Sequence, residues 1–84
     1  MFATNLNYQK FNSKIGSRIR YIRKLKGMSL EDLAVKCNNH ANQISRIERG
    51  LQSCTMFSLK SIAEALEVDM CEFFQEDTIL NQNI

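Results

Sequence analysis

The 84-residue sequence contains no proline, no tryptophan and only three glycines. Few residues are therefore available to break helices, and apolar residues recur three or four apart rather than alternating, which predicts an all-α fold. No apolar run approaches the roughly 20 residues that span a bilayer, and the start MFATNLNYQK lacks the basic and apolar regions of a secretory signal. We therefore expect a cytoplasmic protein without a membrane segment.

Cysteine and histidine are also scarce, with Cys37, Cys54, Cys71 and the single His40. The cysteines are odd in number and evenly spaced, which matches neither a disulfide framework nor a zinc site. A chain of this length is too short for a large catalytic cleft, and His40 has no evident acid–base partner. We expect reduced thiols, no metal, no cofactor, no small-molecule ligand and no enzymatic activity.

Charge is divided unequally along the chain. Residues 1–60 contain all eleven lysines and arginines against three acids, a balance of +8, whereas residues 61–84 contain six acids and no base, a balance of −6. One part of the surface can therefore face a polyanion while the other faces away. This pattern favours a nucleic acid as the partner.

Capping residues and apolar spacing predict three helices in residues 13–50. The first spans about residues 14–26 and stops at Gly27, which can adopt the left-handed conformation. Ser29 opens the second helix, because its hydroxyl and the Asp32 carboxylate have the spacing of a capping box. Asparagine tolerates the left-handed backbone, so the chain can reverse at residues 38–39 and enter a third helix over about residues 41–49.

A fourth helix from Thr55 to residue 66 and a short fifth helix, capped by Asp69 with Glu72, complete the domain expected over residues 13–76. Residues 1–12 are expected to be flexible or to extend the first helix, and residues 77–84 form a tail. The predicted inward residues are Phe11, Ile15, Ile19, Ile22, Leu25, Leu30, Leu33, Ala34, Cys37, Ile44, Ile47, Met56, Leu59, Ile62, Ala63, Leu66 and Phe73.

A short polar helix directly behind a tight turn is typical of the helix-turn-helix, whose second helix enters the major groove. With Ile44 and Ile47 inward, the outer positions are Asn42, Gln43, Ser45, Arg46 and Arg49. Asparagine and glutamine can pair with adenine, arginine with guanine, and serine with a base edge or a phosphate. The alternative is a solvated face, but such faces commonly alternate acids with bases, and here Glu48 is the only acid. The pattern favours DNA reading.

Residues 15–74 resemble the phage-repressor, or XRE, family of helix-turn-helix regulators in the segments IGSRIRYIRKLKGMSLEDLA, ISRIERG and SLKSIAEALEVDMCEFF. The resemblance covers nearly all of the predicted ordered chain, and ISRIERG followed by IAEALEV at this distance is specific. It implies a lambda-repressor-like domain of five helices with the third in the major groove. The LEVDMCEFF ending and the length favour the controller proteins of restriction–modification systems over phage or plasmid repressors.

The resemblance also implies roles for particular positions. Base contacts fall on Ala41, Asn42, Gln43 and Arg46, and phosphate contacts fall on Arg49 and on the loop that includes Gln52 and Ser53. Arg23 and Glu48 occupy the positions of a family ion pair. Independently of the family, an acid on a cationic face would repel phosphate unless a nearby base neutralised it, and breaking a partly buried pair is costly.

The residues themselves add further candidates. Ser45 lies on the same edge as the base-reading set, and phosphate candidates are Lys14 and Arg18 near the start of the first helix, the amides at Ser29, and His40. The sequence also departs from the family. Leu30 replaces a usual glutamine, Ala41 is shorter than the usual base-reading residue, Asn39 replaces an apolar turn residue, and Cys54 replaces a proline.

Apolar residues near the acidic end complete the monomer core or form a dimer patch. We expect Phe73 to point inward, and a partner subunit to use Met70, Phe74, Ile79 and Leu80. Two-fold symmetry doubles the contacts and matches palindromic half-sites about 34 Å apart, which favours a homodimer on double-stranded DNA. The alternatives are the antitoxin of a toxin–antitoxin pair, or an interaction module that has lost DNA affinity.

Overall fold

The computed structural model describes residues 5–75, with side chains from residue 7 onward, and this range contains helices and no strand. The elements are α1 (Asn5–Leu25), α2 (Leu30–Lys36), α3 (Ala41–Glu48), α4 (Met56–Leu66) and a 3₁₀ helix (Met70–Phe74). The all-α prediction is confirmed. The predicted short fifth helix is present as the tighter 3₁₀ form, but the predicted cap at Asp69 is wrong, because the Asp69 side chain makes no capping bond.

Helix α1 begins earlier than the predicted start at residue 14 and crosses the boundary placed at residue 12. Its early turns make tertiary contacts. Asn12 is buried, and the Tyr8 hydroxyl is hydrogen-bonded to the Ser53 hydroxyl in the loop after α3. Of the two alternatives expected for residues 1–12, the described residues 5–12 extend the first helix, and long-range packing stabilises these turns. Residues 1–4 and the tail at 77–84 lie outside the described range.

Twelve buried apolar side chains form the core where the helices meet. They are Ile15, Ile19, Ile22, Leu33, Ala34, Ile44, Ile47, Leu59, Ile62, Ala63, Leu66 and Phe73. Each large one contributes about 1.5–3 kcal/mol of transfer free energy.

Three predicted core residues are wrong: Phe11, Leu25 and Met56 are 54%, 67% and 74% exposed. Leu25 and Met56 occupy the last and first positions of their helices, beyond the neighbouring elements. Phe11 faces an open groove instead of the core. Leu30 and Cys37 are only half-buried and pack against the edge of the core.

The turn between α2 and α3 is closed by backbone hydrogen bonds. Asn38 has a positive φ of 57°, its amide donates to the Val35 carbonyl at 3.2 Å, and the Asn39 amide donates to the Ala34 carbonyl at 2.8 Å. These two bonds are those of a Schellman motif, in which asparagine replaces the usual glycine. They stop α2 and direct the chain into α3 within residues 37–40, as the sequence predicts.

Candidate nucleic-acid interface

The start of α2 is held by the predicted capping box. The Asp32 amide donates to Ser29 Oγ, and the Ser29 amide donates to Asp32 Oδ2, both at 3.0 Å. The bond from the Ser29 backbone, followed by that from its side chain, lowers the pKa of Asp32 because both favour the charged carboxylate. Ser29 is exposed at the positive end of α2, where a negatively charged phosphate is favoured.

Helix α3 presents a polar edge to solvent and an apolar edge to the core. Ile44 and Ile47 are buried, whereas the exposed positions are Asn42, Gln43, Arg46 and Arg49. Ser45 is half-buried, and Ala41 is half-buried because it packs against the core. The four long polar side chains therefore dominate the outer edge.

The entrance to α3 is stabilised by Asn39. Its Oδ1 accepts a hydrogen bond of 2.7 Å from the His40 amide, whereas the His40 side chain makes no capping bond. Asn39, which departs from the family pattern, thus provides a hydrogen-bond acceptor for one of the backbone amides at the start of α3. His40 remains exposed beside the outer edge of α3.

A direct backbone contact places α3 on α1. A Cβ atom added to Gly16 would lie 2.2 Å from the Ile47 carbonyl oxygen and 2.6 Å from that of Glu48. Only glycine allows the two helices to approach so closely. Apolar spacing does not single out Gly16, although a glycine inside a strongly helical segment is a signal of close packing.

The buried polar contact between α1 and α3 is the pair Arg23 and Glu48. Arg23 Nε donates to Glu48 Oε2 at 2.7 Å, and Arg23 Nη2 donates to Oε1 at 3.0 Å. The hydrogen bonds to Glu48 raise the pKa of Arg23, and Nη1 donates to the Met28 carbonyl at 2.8 Å. The only acid of α3 is therefore neutralised within the protein and leaves no charge on the outer edge.

Arg18 of α1 contacts the 3₁₀ helix instead of α3. Its Nε donates to the Glu72 carbonyl oxygen at 3.0 Å, its Nη2 is 3.7 Å from the Glu72 carboxylate, and its guanidinium is 5.5 Å from the centre of the Tyr21 ring. These contacts hold α1 to the 3₁₀ helix. They engage Arg18 within the protein, whereas its phosphate contact stays a prediction, and they make Glu72 a partner of Arg18 where the sequence suggested a cap.

The loop after α3 brings further candidates to the outer edge. Arg46 Nε donates to Gln52 Oε1 at 3.0 Å, and Arg49 Nε lies 3.4 Å from the Ser45 carbonyl oxygen. Ser53 is hydrogen-bonded to Tyr8, and this bond is the main reason that the pKa of Tyr8 is lowered. The structure thus joins Gln52 to α3 and Ser53 to α1, and Lys14 is also exposed on α1.

Near the 3₁₀ helix lies an apolar groove of about 140 Å³. Its apolar lining includes Phe11, Ile15, Cys54, Met56, Leu59 and Phe74. The rings of Phe11 and Phe74 are 6.5 Å apart, and Phe74 is 47% exposed. Met70 is half-buried against the core, while Ile79 and Leu80 lie outside the described residues.

Within residues 5–75, no helix combines the length and the hydrophobicity that crossing a membrane requires. In the same range, histidine, cysteine and carboxylate side chains do not cluster into a group able to hold a metal ion.

Comparison with known proteins identifies the family. Residues 19–73 match the HTH_3 helix-turn-helix family. The chain is 37% identical over 67 residues to the control protein C.BamHI of Bacillus amyloliquefaciens, covering 79% of this chain and 83% of that protein. It is also 37% identical over 71 residues to the HTH-type transcriptional regulator SlrR of Bacillus subtilis (strain 168), covering 83% of this chain but only 47% of SlrR.

A solved structure agrees with these sequence relatives. The restriction-modification controller protein C.AhdI from Aeromonas hydrophila superposes with a TM-score of 0.74 at 30% identity, over 75% of this chain and 96% of C.AhdI. The chain belongs to the HTH_3, or XRE-like, family of DNA-binding transcription regulators, which are not enzymes.

Proposed function

We propose that the protein is a cytoplasmic, sequence-specific regulator that binds a palindromic operator as a homodimer, in the manner of a restriction–modification controller or a small repressor. The observation that supports this most strongly is the outer edge of α3. It carries amides and arginines, while its single acid, Glu48, is paired with Arg23 inside the protein. Such an edge can enter the major groove without repelling phosphate.

The base-reading role falls mainly on Asn42, Gln43 and Arg46, which are exposed on consecutive turns of α3. The half-buried Ser45 and Ala41 have less surface to offer, and Ala41 can make only apolar contact, for example with a thymine methyl group. The proposed phosphate contacts lie on α1, at the starts of α2 and α3, and after α3; they are Lys14, Ser29, His40, Arg49, Gln52 and Ser53.

We propose the apolar groove as the homodimer surface. Phe11, Met56 and Phe74 expose large apolar area there, and such area on a small domain marks an association site. Residues 52–54 line the groove and continue the loop that approaches the reading edge. For half-sites one helical turn apart, the two-fold axis of the proposed dimer has to place both copies of α3 on the same side. Met70 contributes less than expected because it packs against the core.

Salt dependence tests the DNA function. Binding sites are first selected from random DNA, and the preferred operator is then titrated at several salt concentrations. Neutralising phosphates releases counterions, so affinity should fall steeply as salt rises, and the selected sites should be palindromic. Selection of no preferred site, together with affinity that is indifferent to salt, would instead support an interaction module.

Sedimentation tests the dimer. Phe11→Ser with Phe74→Ser should shift the protein to monomer and weaken operator binding. Val35→Ser is the matched control, because Val35 is exposed on α2, away from the groove. A double variant that still sediments as a dimer would place the interface elsewhere.

A further inference from the structure

We propose that Gln52 is a positioning residue that sets the specificity of Arg46. It orients the Arg46 guanidinium so that its two terminal nitrogens, rather than Nε and one terminal nitrogen, meet the base. The inference rests on the proposed operator function. It means that Gln52, a loop residue outside α3, controls how Arg46 of α3 contacts one base.

The hydrogen bond between the two side chains determines their orientation. Arg46 Nε donates to Gln52 Oε1 at 3.0 Å. Arginine has donors only, so the oxygen of the Gln52 amide has to face Arg46 and its nitrogen has to face away. With Nε engaged, the donors of Arg46 that can fork onto O6 and N7 of a guanine are the two Nη groups.

The backbone keeps the two residues at a constant separation. The Leu51 amide donates to the carbonyl of Arg46 itself at 2.9 Å, and the Gly50 amide donates to the Ile47 carbonyl at 3.1 Å. The loop is thus bonded to the last turn of α3 immediately before Gln52. Since Gln52 is half-buried, its side chain has fewer conformations than that of an exposed loop residue, which reduces the entropic cost of holding Arg46.

Arg49 provides a comparison, because among the residues that the structure describes no loop side chain holds its guanidinium as Gln52 holds that of Arg46. Its Nε approaches a backbone oxygen of its own helix, Ser45, at 3.4 Å, a weaker contact than that of Arg46. Arg46 is held from outside α3, at a position exposed on the outer edge of this helix. The amide nitrogen of Gln52, on the side away from Arg46, carries two donors suited to a phosphate oxygen. One side chain therefore joins base reading to backbone contact.

Two substitutions at Gln52 separate these roles. Gln52→Leu removes the acceptor and the donors, whereas Gln52→Glu keeps an acceptor for Arg46, removes the donors and adds a negative charge. Binding is measured on the selected operator and on variants at each base pair, with thermal melting followed to show that each variant is folded. Arg46→Ala alone locates the base pair that Arg46 reads.

At that base pair, Gln52→Leu should reduce discrimination by about two- to tenfold, the range of a single hydrogen bond. Gln52→Glu should keep the discrimination, while its affinity falls on every sequence and its salt dependence becomes shallower. In the Arg46→Ala background, neither substitution should change base preference further.

Full discrimination in Gln52→Leu, or equal weakening on all sequences, would overturn the positioning role and leave only a phosphate contact. A further loss of discrimination when Gln52→Leu is added to Arg46→Ala would also overturn it, because the effect of Gln52 would then not act through Arg46. Failure of the operator function is distinguishable, because the unaltered protein would then select no site, and the positioning role would fall with it.

Discussion

Arg23 of α1 and Glu48 of α3 meet side by side, through two hydrogen bonds of 2.7 and 3.0 Å, at a site where the two residues are only 6% and 5% exposed. The pair lies directly behind the outer edge of α3. It ties this helix to the longest helix of the fold and removes the negative charge that the edge would otherwise carry. Stability and DNA binding are therefore coupled at this contact.

Glu48→Ala should reduce the free energy of unfolding by about 3–5 kcal/mol, because it leaves the buried Arg23 guanidinium without its counter-charge. Urea denaturation measures this change. Glu64→Ala is the control, since Glu64 pairs with Lys60 on the surface and such pairs contribute at most about 1 kcal/mol. Replacing both partners, as Arg23→Met with Glu48→Leu, should recover much of the loss. An unchanged midpoint for Glu48→Ala would refute this account of the pair.

Gly16→Ala should destabilise the domain by about 1–3 kcal/mol or more, because the new methyl group would collide with the carbonyl oxygens of Ile47 and Glu48. It should weaken operator binding further, since relief of the collision moves α3 away from α1. Ser17→Ala, at the next and exposed position of α1, should leave both properties nearly unchanged. Equal melting temperatures for the two variants would contradict the close contact.

Stability should have an acid-dependent component from Asp32. The bonds from Ser29 lower the pKa of Asp32 in the folded state. Asp32 therefore contributes fully to the free energy of unfolding above the unfolded pKa of about 3.9, and this contribution is lost as pH falls through the lower folded-state pKa. The free energy of unfolding is measured between pH 2 and 7, and in Asp32→Asn it should fall less with acid than in the unaltered protein. Glu31→Gln, an exposed acid of the same turn outside the capping box, controls for charge. Identical pH profiles for Asp32→Asn and the unaltered protein would rule out the linkage.

The three cysteines should alkylate at different rates. Burial raises the pKa of Cys37 and of Cys54, so less thiolate is present at pH 8, while Cys71 is exposed. Iodoacetamide followed by mass spectrometry should therefore label Cys71 first, and the labelling of Cys37 and Cys54 should accelerate as pH rises. If Cys54 reacted as fast as Cys71, the groove that it lines would be more open than the structure shows.

Arg46→Ala should weaken operator binding by about 1–3 kcal/mol and relax preference at one base pair. The comparison variant is Arg49→Ala, which should weaken binding on all sequences and reduce the salt slope, as loss of a phosphate contact does. Competition between operator variants measures both. Uniform weakening by Arg46→Ala would make Arg46 a phosphate contact instead.

Local rules succeeded where the cause of structure is local. Ser29 and Asp32 form the predicted capping box because their spacing alone brings hydroxyl and carboxylate to the helix start. Asn38 reverses the chain in the left-handed conformation, and Gly27 ends α1 in the same way. The prediction that Leu25 and Met56 are buried was wrong, because periodicity gives the direction of a side chain but not whether a neighbouring element covers it.

The sequence by itself determined the all-α class, the helix-turn-helix and the polar outer edge of α3, because capping, turn chemistry and apolar spacing act over a few residues. Only the tertiary structure decided which arginines face outward. Arg23 and Arg18 find Glu48 and Glu72, which lie 25 and 54 residues away along the chain. Such pairings depend on how closely α1 crosses α3 and the 3₁₀ helix. The close approach of α1 to α3 is possible because Gly16 has no side chain. Arg46 and Arg49 remain exposed at the surface.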